Sequence, residues 1–203
     1  MFIIVSGISG AGKSTLIKSA MQTDKELFIP KAALTREQRP DDNLDEYVYL
    51  DRATFEKYIA KNKMLEYQEY RGNYYGILEQ SYDNIIYNSG IAIRDIGYQG
   101  IISIKNKVNN APNILILTDY DLIYERMIKR GDEINLINSR MESLEQELQQ
   151  LKQVADFTVE NNQDIEQSSS EFRGIIHSLK RGIKWKLLIQ ILCTIQIKYQ
   201  FMY

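Results

Sequence analysis

Eight residues near the start of the chain, Gly7-Ile8-Ser9-Gly10-Ala11-Gly12-Lys13-Ser14, follow the pattern G-x-x-x-x-G-K-[ST]. That spacing suits a polyphosphate. Glycines let backbone N–H groups close around phosphate oxygens with no Cβ in the way. A helix starting near Lys13 adds the positive end of its dipole. The Lys13 ammonium is placed for the β- and γ-phosphates, and the Ser14 hydroxyl is a ligand for Mg2+. The pattern requires a buried strand before it and a helix after it. Phe2-Ile3-Ile4-Val5 is wholly apolar, as a strand covered on both faces is, and Ser14 to Met21 can form the helix. We therefore expect a nucleoside triphosphate at Gly7, Ser9, Gly10, Ala11, Gly12, Lys13, Ser14 and Thr15, with the metal at Ser14.

A second set of residues speaks of the acceptor. Leu34-Thr35-Arg36-Glu37-Gln38-Arg39-Pro40 puts two guanidiniums three residues apart, and Tyr47, Glu66 and Gly72-Asn73-Tyr74-Tyr75-Gly76 follow. Arginines with tyrosine hydroxyls suit a second phosphate, because guanidinium binds phosphate bidentately. A carboxylate such as Glu66 can accept two N–H donors from a guanine edge. Taken singly, each has an ordinary alternative. Arg36 and Arg39 are also read as solvated charges, Tyr74 and Tyr75 as core aromatics, and Glu66 as a surface acid.

The elements that must position these groups alternate. Apolar runs at 2–5, 91–93, 113–117 and 157–159 read as strands. Helical spacing marks 54–61, 81–88, 121–129, 139–155 and 171–180. Residues 31–50 are polar, with a turn at Arg39 to Asn43, and Gly72 to Gly76 reads as a loop. Strands alternating with helices predict an α/β fold around a mainly parallel sheet.

Composition bounds the rest. With 203 residues, the chain is long enough for one domain with a tail. One cysteine, Cys193, and one histidine, His177, exclude a disulfide framework and a zinc site built on either residue type, and His177 reads as structural. The net charge of −2 hides an asymmetry. Six basic residues and no acid follow Glu171, which leaves 19 basic against 27 acidic residues in 1–171. Such a body is not a nucleic-acid binder by charge. The apolar opening is too short for a secretory leader. The longest apolar stretch, Leu187 to Ile197, has eleven residues, against the ~20 that a membrane span requires. We expect a cytoplasmic protein.

In this order, the motifs resemble the guanylate kinase family over residues 2 to about 180. The family's T-T-R-x-x-R is matched by Leu34 to Arg39, and its D-Y-x-F-V by Glu46-Tyr47-Val48-Tyr49-Leu50. Its F-L-E-W is matched by Met64-Leu65-Glu66-Tyr67, its G-N-Y-Y-G by Gly72 to Gly76, and its D-I-D-x-Q-G by Asp95-Ile96-Gly97-Tyr98-Gln99-Gly100. Its R-x-x-x-R-G and following arginine look like Arg126, Arg130-Gly131 and Arg140.

The resemblance implies a P-loop nucleoside monophosphate kinase: a five-stranded parallel core (1–31, 81–129, 141–181), an inserted monophosphate-binding subdomain (32–80) and a lid (130–140). The implied reaction is transfer from ATP, with Mg2+, to GMP or dGMP. Arg36, Arg39, Tyr47 and Tyr75 would hold the acceptor phosphate and Glu66 the guanine, and Asp95, counted with the GMP site, would sit near Mg2+ or a catalytic arginine. Lys13, Arg36, Arg126, Arg130 and Arg140 would serve the migrating phosphoryl group. The alternatives are a monophosphate kinase of altered or relaxed base choice, or a non-catalytic interaction module on the same scaffold. Three positions depart from the pattern. Ala32 and Ile77 stand where the family has hydroxyls that contact the base, and Gly97 replaces the second acid of D-I-D. The loop between Arg39 and Tyr47 and the lid are each one residue short. Beyond the resemblance, 182–203 is a basic, apolar tail. It reads as a segment packed on the body or on another subunit, with a membrane-surface role as the alternative.

Overall fold

The computed structural model describes residues 1–39, 42–70, 72–162 and 164–200, and all of their side chains except those of Arg130, Leu136, Arg140 and 183–200. The chain opens with strand β1 (Phe2–Ser6) and helix α1 (Lys13–Thr23), then β2 (Leu27–Phe28). Next come β3 (Ala32–Leu34), β4 (Tyr47–Tyr49), α2 (Arg52–Ala60), β5 (Met64–Tyr70) and β6 (Asn73–Leu78). After α3 (Glu79–Tyr87) follow β7 (Ile91–Asp95), α4 (Tyr98–Lys107) and β8 (Asn113–Leu117). The last elements are α5 (Tyr120–Arg130), α6 (Ile134–Gln153), β9 (Phe157–Glu160) and α7 (Ile165–Gln200).

Five strands, ordered β2-β7-β1-β8-β9, make one sheet, and every pairing in it is parallel. β1 lies at its centre and is buried along its whole length. Alternation sends Phe2 and Ile4 into one apolar layer, with Leu65, Ile101, Ile104 and Leu115. Ile3 and Val5 enter the other, with Leu16, Ile17, Ile123 and Phe172. This two-sided burial is why the run has no polar alternation. The expected parallel five-stranded core is therefore present, and the strand bounds at 113–117 coincide with the reading from sequence.

A second sheet, β4-β3-β6-β5, is built entirely from residues 32–78. β3 pairs parallel with β4 and antiparallel with β6, and β5 and β6 form a hairpin. Here the sequence reading needs correction. Gly72 to Gly76 is not a loop. Gly72 takes a left-handed φ of 76° at the turn, and Asn73 already begins β6. Gly76 lies within the strand because a Cβ there would stand 2.7 Å from the Glu66 carbonyl and 3.2 Å from the Phe55 ring. The stretch 31–50 carries two three-residue strands, too short for a period to register. Helix α4 was not anticipated; its buried Gly100, Ile101 and Ile104 face the sheet.

Helix ends show local causes. Asp51 caps α2, its carboxylate accepting from the Thr54 N–H at 2.8 Å. Gly131, at φ 87°, ends α5. Only three residues separate α5 from α6, so most of segment 130–140 is helical. Helix α7 starts at Ile165, earlier than expected, and runs unbroken past 182, where the tail was expected to begin. It is pinned to α1 and the loop after it: Lys180 pairs with Asp24 at 2.6 Å and Glu26 at 2.8 Å, and Arg173 donates to Ser19 at 2.8 Å. His177 is exposed on α7 rather than packed. Cys193 and the other tail side chains lie outside the described residues. Among the described residues, no helix is long and apolar enough to cross a membrane.

The second sheet depends on Phe55, fully buried and stacked on Tyr74 with ring centroids 5.0 Å apart. Phe55→Ala should cost about 3–5 kcal/mol. Urea unfolding checks this: an unchanged midpoint would show that Phe55 does not hold the sheet.

Candidate active site

The glycine loop leaves the C-terminal end of β1, at the centre of the parallel sheet, where open α/β folds bind ligands. Three of its glycines have left-handed φ: Gly7 at 146°, Gly10 at 88° and Gly12 at 90°. At Gly7 a Cβ would also meet the Ile116 carbonyl at 2.7 Å. Gly12 is the N-cap of α1 and has no side chain to cap it, so no side-chain cap stands between the positive end of the helix and an anion. Ser14 and Thr15 are exposed in the first turn. The Lys13 ammonium donates to the carbonyls of Gly7 at 2.6 Å and Ile8 at 3.1 Å, curling over the loop. From outside, Thr118 and Asn161 donate to the Ala11 carbonyl at 3.2 and 2.8 Å. Arg126 donates to the carbonyls of Asn161 at 2.9 Å and Gly10 at 3.5 Å, which sets it against the loop.

The residues expected to serve the acceptor gather on the second sheet. Arg36 is not a solvated charge. It forms a bidentate pair with Asp42, at 2.6 and 2.8 Å, and the Tyr49 hydroxyl donates to the same carboxylate at 2.5 Å. The Arg36 hydrogen bond holds Asp42 far below the usual carboxylate range, and the same bond raises Arg36. Tyr49 is pushed up to about 12, by burial first and then by the bond to Asp42. Both Arg36, at 6.0 Å, and Arg94, at 4.9 Å, lie over the Tyr47 ring. Tyr75 sits opposite Leu34 and Gln68, in the neighbourhood of Arg36. The Arg39 side chain is exposed. Tyr74 is mainly a packing residue, between Phe55 and the Arg52 guanidinium.

Glu66 is not a surface acid. It is 5% exposed, its Oε1 accepts from the Ile77 N–H at 3.2 Å, and its Oε2 has no hydrogen-bond partner. Burial lifts the carboxyl to about 7, against smaller opposing pulls from the Ile77 N–H, Arg94 and Lys107. Ala32, Ile77 and Glu66 are cross-strand neighbours in one row. At Gly97 a Cβ would stand 2.6 Å from the Gln68 amide nitrogen, so the Gln68 side chain occupies that space.

The two clusters meet at Asp95. It pairs in register with Val5, just before the glycine loop, and its charge acts on the Tyr47 hydroxyl. The structure thus brings Lys13, Ser14 and Arg126 together at one end of β1, and Arg36, Tyr47, Tyr75 and Glu66 on the neighbouring sheet. The side chains of Arg130 and Arg140 lie outside the described residues. Reading the sequence missed Asp42, Tyr49, Gln68, Arg94 and Asn161. Arg94 alone had a visible signal, a cation inside the apolar run Ile91 to Ile93 and beyond.

The raised Glu66 carboxyl has a calculable effect on stability. Below its ordinary value of 4.5 it is protonated in both the folded and unfolded chain. As pH rises from 4.5 through about 7, the unfolded chain releases the proton more readily, so stability falls and stays lower above 7. Glu66→Gln removes that loss. Its melting temperature should exceed that of the unaltered protein at about pH 8, by a margin worth on the order of 1–3 kcal/mol, and the gap should close near pH 4. An equal gap at both pH values would contradict the burial argument.

Comparison with known proteins agrees with this architecture. The family model described as guanylate kinase matches residues 1–179. A guanylate kinase of Mycoplasma pneumoniae is 31% identical over 178 residues, covering 85% of this chain and 74% of that one. One from Streptococcus pneumoniae is 34% identical over 169 residues, covering 80% of each. The crystal structure of guanylate kinase from Anaplasma phagocytophilum superposes with a TM-score of 0.70 at 17% identity, over 88% of this chain and 85% of that one, and so shares the fold. A match that runs from β1 into α7 and takes in both clusters leaves one assignment: the chain belongs to the guanylate kinase family.

Proposed function

We propose that this protein transfers the terminal phosphoryl group of ATP to GMP, and to dGMP, giving ADP and the nucleoside diphosphate. The carrying observation is the adjacency of two unlike anion sites. The glycine loop ends β1, and Asp95, register partner of Val5, links it to the arginine and tyrosine cluster that shares its sheet with the buried Glu66. In this reading, ATP lies on Gly7 to Thr15, with Lys13 and Arg126 on its phosphates. Arg36, Arg39, Tyr47 and Tyr75 hold the acceptor phosphate, and Glu66 takes the guanine N–H groups. Arg130 and Arg140 approach the migrating group from a lid at 130–140. The parallel sheet and its helices form the core, and 32–80 the acceptor subdomain. Its proposed place of work is the cytoplasm.

The residues present fit Mg2+. Ser14 is exposed at the start of α1 and Asp95 at the end of the adjacent strand, both oxygen donors that suit a hard cation. When bound, the ion neutralises charge on the transferred phosphate. No base is required of the protein, because a monophosphate oxygen is already an anionic nucleophile. That oxygen bonds to the γ-phosphorus as the bond to the β–γ bridging oxygen breaks. The side chains act by positioning and charge neutralisation. Asp42 keeps Arg36 in place, with a bidentate pair that a bound phosphate can compete for or share.

Two substitutions test the two sites. Lys13→Ala should abolish phosphoryl transfer and leave the circular dichroism spectrum and melting temperature nearly intact, because the Lys13 ammonium curls over the phosphate loop rather than into the apolar core. Near-normal turnover would refute the ATP-site assignment. Arg39→Ala removes an exposed guanidinium of the acceptor cluster. Its GMP KM should rise about 10- to 100-fold, with the ATP KM unchanged. Parallel loss of ATP affinity would contradict two separate subsites.

A further inference from the structure

Among the described residues, two charged side chains are buried, Glu66 and Arg94, each 5% exposed. A buried charge is costly unless it is paired. Yet no ion pair joins these two, although the charge of Arg94 is felt at Glu66. Arg94 donates one N–H to the Pro30 carbonyl at 2.6 Å and lies over the Tyr47 ring; among the described residues that carbonyl is its one hydrogen-bond acceptor. Glu66 likewise keeps Oε2 without a partner. Ala92 on β7 and Ile96 just beyond its end, two residues to either side of Arg94, face the layer that contains Leu65 and Ile77. Arg94 therefore projects from the core sheet toward the row of the second sheet that carries Glu66. A carboxylate oxygen without a partner and a guanidinium with spare N–H donors lie near enough for the charge of one to act on the other.

The chemistry of those two groups selects a ligand edge. An ionised carboxylate only accepts, so its partner must present N–H donors. In guanine, the edge that does so continues into a carbonyl oxygen, an acceptor. The row around Glu66 offers that oxygen nothing. Ala32 and Ile77 have apolar side chains, and the Ile77 N–H is already spent on Oε1. Resting on the GMP reading above, we propose that Arg94 is a specificity-determining residue whose guanidinium donates to the carbonyl oxygen of the acceptor base while Glu66 accepts from the adjacent N–H groups. Adenine places an amino donor where guanine has the oxygen. That donor would meet the guanidinium unpaired, and Glu66 would lose its partners. The pair Arg94 and Glu66 thus discriminates without the two hydroxyls missing at 32 and 77.

The test compares GMP with its thio analogue, which keeps both N–H groups and has weakly accepting sulfur in place of the carbonyl oxygen. Arg94→Met should lower kcat/KM for GMP about 10- to 100-fold and for the thio analogue less than about threefold, so that the preference between them collapses. Glu66→Gln should lower both together and leave their ratio unchanged. The ratio is taken within one preparation, so a reduced folded fraction does not affect it. If Arg94→Met yields no folded protein, Arg94→Lys, which keeps the buried charge, is read in its place. A ratio at least about threefold below that of the unaltered protein supports the assignment. An unchanged ratio in the variant that folds overturns it. An unaltered protein that phosphorylates neither nucleotide overturns the GMP reading itself, a result distinct from GMP turnover with an insensitive ratio.

Discussion

β1 is covered on both faces, and the rest of the site depends on it. Phe2 and Ile4 lock into one apolar layer and Ile3 and Val5 into the other, so the strand can neither slide nor rotate without breaking the packing of both layers. A strand held so firmly gives its C-terminal end a fixed position and direction. The glycine loop begins there, in left-handed backbone that a side chain would strain, and it delivers the start of α1 toward the same point. The positive end of α1, the Lys13 ammonium and Arg126 converge because their supports are anchored in one core. The same strand sets Asp95 through its register with Val5.

The acceptor sheet follows a different principle. Its strands are short, its apolar cluster is small, and its central contact is the stack of Phe55 on Tyr74. Polar interactions supply what packing does not. Asp42 is held by the Arg36 guanidinium, the Tyr49 hydroxyl and the Arg39 N–H together. Such a network orders the turn that bears both arginines before any phosphate arrives, which reduces the ordering cost of binding. It also surrounds one carboxylate with donors suited to phosphate, so that Asp42 occupies, in the free protein, an environment of phosphate-like demands.

Two buried charged side chains among the described residues, Glu66 on the acceptor sheet and Arg94 on the core sheet, form no ion pair with each other. Neither is explained by stability. Burial pushes Glu66 toward its neutral form near physiological pH, and Arg94 gains only one hydrogen bond and a ring contact. Buried polar groups with spare capacity are characteristic of sites where a ligand completes the bonding. The core sheet contributes one of these groups and the acceptor sheet the other, which ties recognition of the acceptor to how the two sheets pack.

Reading the sequence went far where the chemistry is local. Gly7 to Ser14 are consecutive, and the backbone geometry they need follows from residue type alone. The parallel sheet was legible because its strands are wholly apolar, and the family was legible because its motifs are short and ordered. Other features depended on residues distant in sequence. Glu66 read equally well as a surface acid until the fold buried it against Ile77. Gly76 read as part of a loop, because the close approach of the Glu66 carbonyl that excludes a Cβ arises only when β5 and β6 pair. Arg36 and Asp42 are six residues apart with no period linking them, and only the turn closes the pair. Arg94 and Glu66 belong to different sheets, 28 positions apart in the chain. The sequence by itself determined which groups were available and which consecutive ones would act together. The tertiary structure decided which acquired a shared, water-poor space, because burial is set by what packs around a residue and not by the residue alone.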